Sequence, residues 1–545
     1  MLNLTNIVKQ KYILFVFVLF VFLLGLGYST TFNSLDPDFG WHLKTGQLIL
    51  ERGVPKVDWY TYTMPHFPWI DHEWLTDVII YKIYSLFGYQ ILLLAFLTIF
   101  TLAFVVLTKR ARFFYYLLPV VLGYLALLGF LGIRPQLLTV FFFAGLLVIL
   151  ERFLQNPYTR LVYICPIIFL VWTNLHGGFV IGLVLIFLLL LLEIFKKTKM
   201  FRKLILSKLF YGQNIIEESR ERSNRKIKIL SLLLIISAVI TILNPYGPRI
   251  YIEIFSSIGD SFLKSHISEW VPLFVMTPSL GLIFRVSYLV MFLSFFVVFR
   301  KKVEFNNFVL VLIFFVFALL SRRNLLIFIV LTIPIFTELI FYFRKEVLSG
   351  ETSRKMLEVM FGGFKKWAIA LIVLGWFILG SYPYIVNNLR NGVGTAYPVQ
   401  AVKFLKTLPL SDNLLNEYGW GGYLIWRLPE RKVFIDGRMP SWRASGAFVF
   451  GDYVKMMEAQ NGTEDLLKKY DIKIAILNRD IEAQATKYSD YQNKPKNRIA
   501  IFLEKHSWIS KIIGAYPPHK NIYNELIDFG WHVAYEDNAV IILKK

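Results

Sequence analysis

Residues 12–32 form an unbroken apolar run, and comparable runs recur at 89–108, 179–195 and 367–385. About 20 consecutive apolar residues is the length that crosses a bilayer as a helix, and in lipid the backbone must satisfy its own hydrogen bonds. Lys9 and Lys11 precede the first run as they would in a signal peptide. Its core is long and no small-residue cleavage site is clear, so it reads as a span. A chain that is 56% hydrophobic and 17% aromatic is too apolar for a soluble enzyme of this size. The single cysteine, Cys165, lies inside an apolar run and forms no disulfide within one chain.

The formal net charge of +22 raises nucleic acid as a partner, and its placement excludes that reading. Basic residues cluster at 109–112, 196–228, 300–302 and 344–366. With Lys9 and Lys11 cytoplasmic, about eleven spans put every cluster on the cytoplasmic side: 12–32, 89–108, 113–133, 136–154, 161–175, 177–195, 229–247, 281–299, 305–320, 325–342 and 367–385. The positive-inside rule then accounts for the excess, with anionic lipid headgroups as a further partner.

That topology leaves three polar pieces outside the membrane: a long first loop (33–88), a middle loop (244–280) and the chain after 385. Residues 1–385 are thus a transmembrane domain. Residues 386–545 carry short strand-like runs, "KVFIDG", "IKIAILN" and "AVIILKK", around helical stretches such as 463–470, as in a small α/β domain. The expected architecture is an α-helical polytopic membrane protein with an extracytoplasmic C-terminal α/β domain.

The first loop opens on "LDPDFGWHLKTG". Pro37 biases Asp36 towards an extended conformation. Asp38 is a natural N-cap for a helix from Phe39 to Arg52, stopped by Gly53 and Pro55, and His42 lies on the same face four residues on. A second helix, from His72 to Phe87, has an apolar stripe with Asp77 and Lys82 off it. It suits the membrane interface, with Trp59, Trp69 and Trp74 at headgroup depth. The loop holds carboxylates just above the lipid surface.

A first span, an external loop with an Asp-x-Asp motif and two surface helices, many further spans and an external α/β domain together resemble the GT-C superfamily of membrane glycosyltransferases. The stretches "DPDFGWHLKTGQLILERG", "WTNLHGGFVIG", "NPYG", "EW", "YGWGGYLIW" and "VFIDGR" also resemble uncharacterised bacterial members near that superfamily. The chain lacks the adjacent Asp-Glu of protein mannosyltransferases and the Trp-Trp-Asp of oligosaccharyltransferases. The resemblance implies transfer of a sugar from a polyprenyl-phosphate donor to a cell-envelope acceptor (glycan, lipid or protein), with inversion. Such a reaction needs a carboxylate for the acceptor proton and positive groups for the departing phosphate.

Asp36 and Asp38 are the candidates for the carboxylate. Asp38 has a competing job as a helix cap, whereas Asp36 has none that the sequence shows. The same pair is a candidate ligand set for a divalent cation, magnesium or manganese. Arg134 in "GIRPQ" and Arg322 with Arg323 in "SRRN" stand at the outer ends of spans, against the charge bias. They are candidates to hold a lipid phosphate, or they snorkel. His176 in "NLHGG" lies in an outer turn where Gly177 and Gly178 permit close approach. Asp71, His72 and Glu73 either complete the acidic pocket or start their helix, and Glu269 beside Trp270 is a further acidic candidate. His42, His72 and His176 are metal-ligand types, but their spacings specify no site. Asp436 and Arg438 in "FIDGR" are either ligand-binding or a structural ion pair.

A transporter or lipid flippase should carry charges or broken helices near mid-membrane. Here the spans are nearly charge-free at their centres while the carboxylates crowd an external loop, which favours interfacial chemistry over transport or a non-catalytic assembly role. The topology is testable by single-cysteine labelling. Cysteine at Ser34, Gly259 or Gln460 should react with an impermeant thiol reagent in intact cells or spheroplasts, and cysteine at Ser219 or Ser353 should not. Labelling at Ser219 from outside would invert the topology and place the Asp-Pro-Asp loop in the cytoplasm.

Overall fold

The computed structural model describes residues 2–201, 219–273, 280–346, 396–444, 446–485 and 520–545. The expected span at 367–385 and the expected boundary at 385/386 lie outside them. The ten other expected spans are all built on helices. Among the described residues five helices are long and apolar enough to cross a membrane, and four shorter apolar helices accompany them. The first elements are α1 (Leu2–Thr31), α2 (Phe39–Arg52), α3 (Trp74–Val106), α4 (Leu117–Ala126) and α5 (Gln136–Gln155). α6 (Cys165–Leu175), α7 (Phe179–Phe195) and α8 (Arg220–Ile240) follow. Next are α9 (Arg249–Gly259), α10 (Leu280–Val298), α11 (Phe305–Leu320) and α12 (Leu325–Glu346).

One expectation holds here and one changes. The surface helix of the first loop ends at Gly88 as expected: at φ 76° and ψ −179° this residue is non-helical, so α3 is two helical stretches meeting at a kink where another residue would be strained. The span expected at 113–133 is shorter: α4 is flanked by 3-10 turns, and beyond the second of them Gly132, at φ 151°, re-extends the chain towards Arg134. In the core, α3 packs against α1, α2 and α5, α4 against α10, and α11 against α12. The rings of Phe100, Phe104 and Tyr124 interlock between α3 and α4.

The C-terminal part is an α/β unit, as expected. β1 (Asn413–Asn416), β2 (Ile472–Asn478), β3 (His532–Glu536) and β4 (Val540–Lys544) form one sheet in the order β1-β2-β4-β3. β1 runs parallel to β2, and the other pairs are antiparallel, with Ile474 opposite Lys544. Helix α13 (Gly421–Arg427) precedes the "KVFIDG" stretch, which is not a strand of this sheet. Val433 bridges Thr61 of the first loop instead, and Asn416 Oδ1 accepts from Phe434 N. The backbone of this segment is taken up by the first loop and by the side chain of Asn416 rather than by the backbone of a strand, so its apolar run never joins the ladder.

The first loop and the C-terminal α/β unit share a core. Trp41, Tyr60, Met64 and Trp69 are buried with Leu414, Leu424, Phe434, Trp442 and Ile476. Trp69, expected at headgroup depth, is therefore inside protein. The closest approach is between backbones: a Cβ on Gly40 of α2 would lie 2.1 Å from Gly422 O, and one on Gly422 would lie 2.3 Å from Pro37 O. Gly40→Ala and Gly422→Ala should each lower the melting temperature of the detergent-solubilised protein, reflecting about 1–3 kcal/mol of overpacking. Gly25→Ala is the control, since nothing stands within 4 Å of its Cβ position. Equal melting of all three variants would refute the close crossing.

Candidate active site

Asp-Pro-Asp sits between α1 and α2, at the outer edge of the spans. Asp36 does have a local job: its Oδ1 accepts from Asp38 N at 2.9 Å, and its carbonyl accepts from Phe39 N. Its other oxygen, Oδ2, pairs with Arg134 Nε. Arg134, from the turn before α5, also reaches Glu269 Oε1 with Nη1 at 2.5 Å. One guanidinium thus joins a carboxylate of the first loop to one of the middle loop, which are 233 residues apart (269 − 36).

Asp38 stands at the N-cap position of α2 but makes no side-chain cap bond. Its Oδ1 instead accepts from Trp41 Nε1 at 3.0 Å. The C-terminal unit presses on it from the other side, where a Cβ on Gly437 would fall 1.8 Å from Oδ1. Burial, reinforced by the nearby charge of Asp36, pushes the Asp38 carboxyl up to about 7.

Beside this pair lies a second cluster, centred on Glu73. His176 Nε2 is 3.2 Å from Glu73 Oε1, and the Nε2 atoms of His42 and His72 each lie 3.7 Å from the carboxylate. The imidazoles are held from behind. His42 Nδ1 meets Asp77 Oδ1 at 2.6 Å, and a Cβ on Gly46 would sit 2.0 Å from Asp77 O, so α2 and α3 touch there. Gly178 N donates to His176 Nδ1 at 2.9 Å, and an amide N–H can only donate, so Nδ1 accepts while Nε2 faces Glu73. Thr139 Oγ1 contacts the same Nδ1 and in turn accepts from Trp172 Nε1.

Burial sets the charges in this cluster. It keeps His42 and His176 below the usual histidine value and His72 down to about 4. It lifts Asp71 to about 7 and Glu73 to about 8, with Asp71, Asp38 and Asp36 adding repulsion on Glu73. The repulsion marks the two clusters as neighbours. Asp77, off the apolar stripe of its helix, is fully buried. Its spacing, four residues after Glu73 on one helix face, was the available signal.

The sequence candidates thus fall into groups. Asp36, Arg134 and Glu269 meet, with Asp38 alongside. His42, His72, Glu73 and His176 meet, and Arg323 Nη2 stands 3.2 Å from His176 Nε2. Asp71 starts its helix, accepting from Glu73 N at 3.1 Å, and its carboxyl neighbours that of Asp77. Arg322 turns instead to the middle loop, donating to Ser268 O at 3.1 Å. Asp436 and Arg438 are the structural pair. Arg438 binds Asp436 at 2.6 Å and Asp58 at 2.9 Å, with its guanidinium 4.4–5.1 Å from the ring centres of Trp69, Tyr60 and Trp442.

The Asp36–Asp38 pair does not fit a divalent cation as it stands. Arg134 already occupies Asp36, Trp41 occupies Asp38, and among the described residues no group of three His, Cys, Asp or Glu side chains is disposed to hold a metal ion.

An acidic and histidine-lined site thus lies at one end of a helical membrane domain, covered by the C-terminal α/β unit. The solved oligosaccharyltransferase of Archaeoglobus fulgidus, tethered with an acceptor peptide containing the NVT sequon via a disulfide bond, is similar in fold. The match covers 87% of this chain and 70% of that one, at 10% identity and a TM-score of 0.51. The apo form of that enzyme matches over the same shares at 11% identity and a TM-score of 0.50. No family model matches the sequence, and no curated protein matches it.

The raised carboxyls have a consequence for stability. A carboxyl held above its unfolded value favours the folded state at low pH, a contribution lost as pH rises through the folded value; a lowered histidine acts in the opposite sense, below its ordinary value of about 6.5. Between about pH 6.5 and 8 only the carboxyls act, so the solubilised protein should lose stability as pH rises, by up to about 1.4 kcal/mol per pH unit for each group titrating. Glu73→Gln should flatten the melting-temperature profile in that window. An unchanged slope would show that Glu73 does not titrate there.

Proposed function

We propose that this chain is a membrane glycosyltransferase. It transfers a sugar from a polyprenyl-phosphate-linked donor to a cell-envelope acceptor on the extracytoplasmic side, with the N-terminus cytoplasmic. The observation that carries the reading is the bringing together of Asp36, Asp38, Arg134 and Glu269 at the membrane edge, within a fold shared with an enzyme solved with an acceptor peptide. An acceptor hydroxyl or amide nitrogen attacks the anomeric carbon as the bond from that carbon to the phosphate oxygen breaks. The electron pair leaves with the lipid phosphate and the configuration inverts.

Asp38 takes the acceptor proton in this scheme. Among the described residues it forms no direct ion pair, and Gly437 and Trp41 fix its direction. Asp36 holds Arg134 in register, and Arg134 and Arg323 supply positive charge to the departing phosphate. The neutral imidazoles of His72 and His176 donate or accept at the phosphate and sugar oxygens.

Purified protein incubated with radiolabelled polyprenyl-phosphate sugars and cell-envelope acceptors should transfer label. Asp38→Asn should lower turnover by about 100-fold or more, the range for losing a general base, and Asp36→Asn should lower it by releasing Arg134. Arg323→Gln should mainly raise the KM for donor. Because Asp38 is held near 7, wild-type turnover should climb as pH rises through that value. Normal expression of both aspartate variants with full transfer would overturn the mechanism at its centre.

A further inference from the structure

α9 lies in the middle loop, yet the centre of its outward face is apolar. Ile252, Phe255 and Ile258 are 68%, 57% and 46% exposed. On a helix their spacing of three gathers them on one side, while Ile250 and Ile254 face inward. Its depth is fixed by contacts with two spans. Tyr251 OH is 2.5 Å from Thr241 Oγ1 and 3.5 Å from Ala238 O, at the outer end of α8. The Tyr251 ring also meets Phe179, the first residue of α7, with centroids 5.5 Å apart. The exposed stripe is thus level with the outer ends of the spans, and it continues the exposed apolar line of Ile235, Val239 and Leu243 on and just beyond α8.

The inner face of α9 touches the site. Gly177 is wedged between Ile254 and His72: a Cβ there would lie 3.3 Å from Ile254 Cδ1 and 2.9 Å from His72 Cδ2. One helix therefore separates the lipid-level surface from the histidine cluster.

We infer that α9 is an in-plane membrane helix, its Ile252–Phe255–Ile258 face immersed in the outer leaflet and its Ile254 face bounding the histidine cluster, so that a lipid-anchored phosphate reaches His72 and His176 at headgroup level. The occupant of the face is phospholipid, because the stripe is continuous with the lipid-facing side of α8 and lies at its depth. The role in donor approach rests on the glycosyltransferase reading; the membrane contact does not.

The test uses full-length protein in lipid nanodiscs, in a Cys165→Ser background, with a bimane fluorophore on single cysteines at Ile252, Phe255 or Ile258. Gln460→Cys, on an exposed residue of the external domain, is the control. Nitroxide lipids spin-labelled near the headgroup end of the chain should quench probes at 252 and 255 about threefold more than the control, and aqueous iodide should quench them about threefold less. Iodide quenching equal to the control at all three positions would overturn the inference. In a transfer assay, Phe255→Asp should raise the KM for the lipid donor about tenfold at unchanged kcat. If wild-type protein transfers nothing, the glycosyltransferase reading fails while the quenching still decides where α9 lies.

Discussion

The structure depends on a meeting of two backbones. α2 can lie against α13 only because Gly40 and Gly422 bring no side chain to the crossing. That contact lowers the external domain onto the first loop far enough for Gly437 to reach Asp38 and for Arg438 to enter its cage. The cage then locks the arrangement: a buried guanidinium between two carboxylates and over three rings stays charged without water. Removing one partner would leave an unpaired charge in the shared core, so cage and crossing stand or fall together.

The membrane edge accounts for the site's electrostatics. Gathering Asp36, Asp38, Asp71, Glu73 and Asp77 in one buried region is unfavourable unless some are neutralised or paired. The chain does both. Arg134 serves Asp36 and Glu269 together, whereas Asp38, Asp71 and Glu73 are pushed towards the protonated form near neutral pH. Histidines lowered by the same burial stand next to carboxyls raised by it, so the cluster stays close to neutral near pH 7.

The spans were legible because bilayer thickness imposes a length on apolar runs, and β2 and β4 were legible because their runs were short and bounded. The convergence of Asp36 with Glu269, and of His42 with His176, was not: each pair joins loops on different helices, and nothing local encodes the meeting. Three misreadings share that cause. "KVFIDG" has strand chemistry but its partners are Asn416 and the first loop; Trp69 has interface chemistry but lies in the cage; Asp77 lies off the apolar stripe yet is buried, because His42 faces it. The candidate residues were found by type and by being out of place, such as arginines on the outer side.

The glycine crossing also bears on how such a chain diverges. Contacts between side chains leave a trace in related sequences, since a loss on one side can be offset by a gain on the other. Backbone touching backbone has nothing to exchange: at positions 40 and 422 any side chain collides with a peptide group, whatever its partner does. The contact that seats the external domain therefore cannot drift by compensating pairs. It would be silent in any covariation signal, and persist as two solitary glycines while the residues around them turn over.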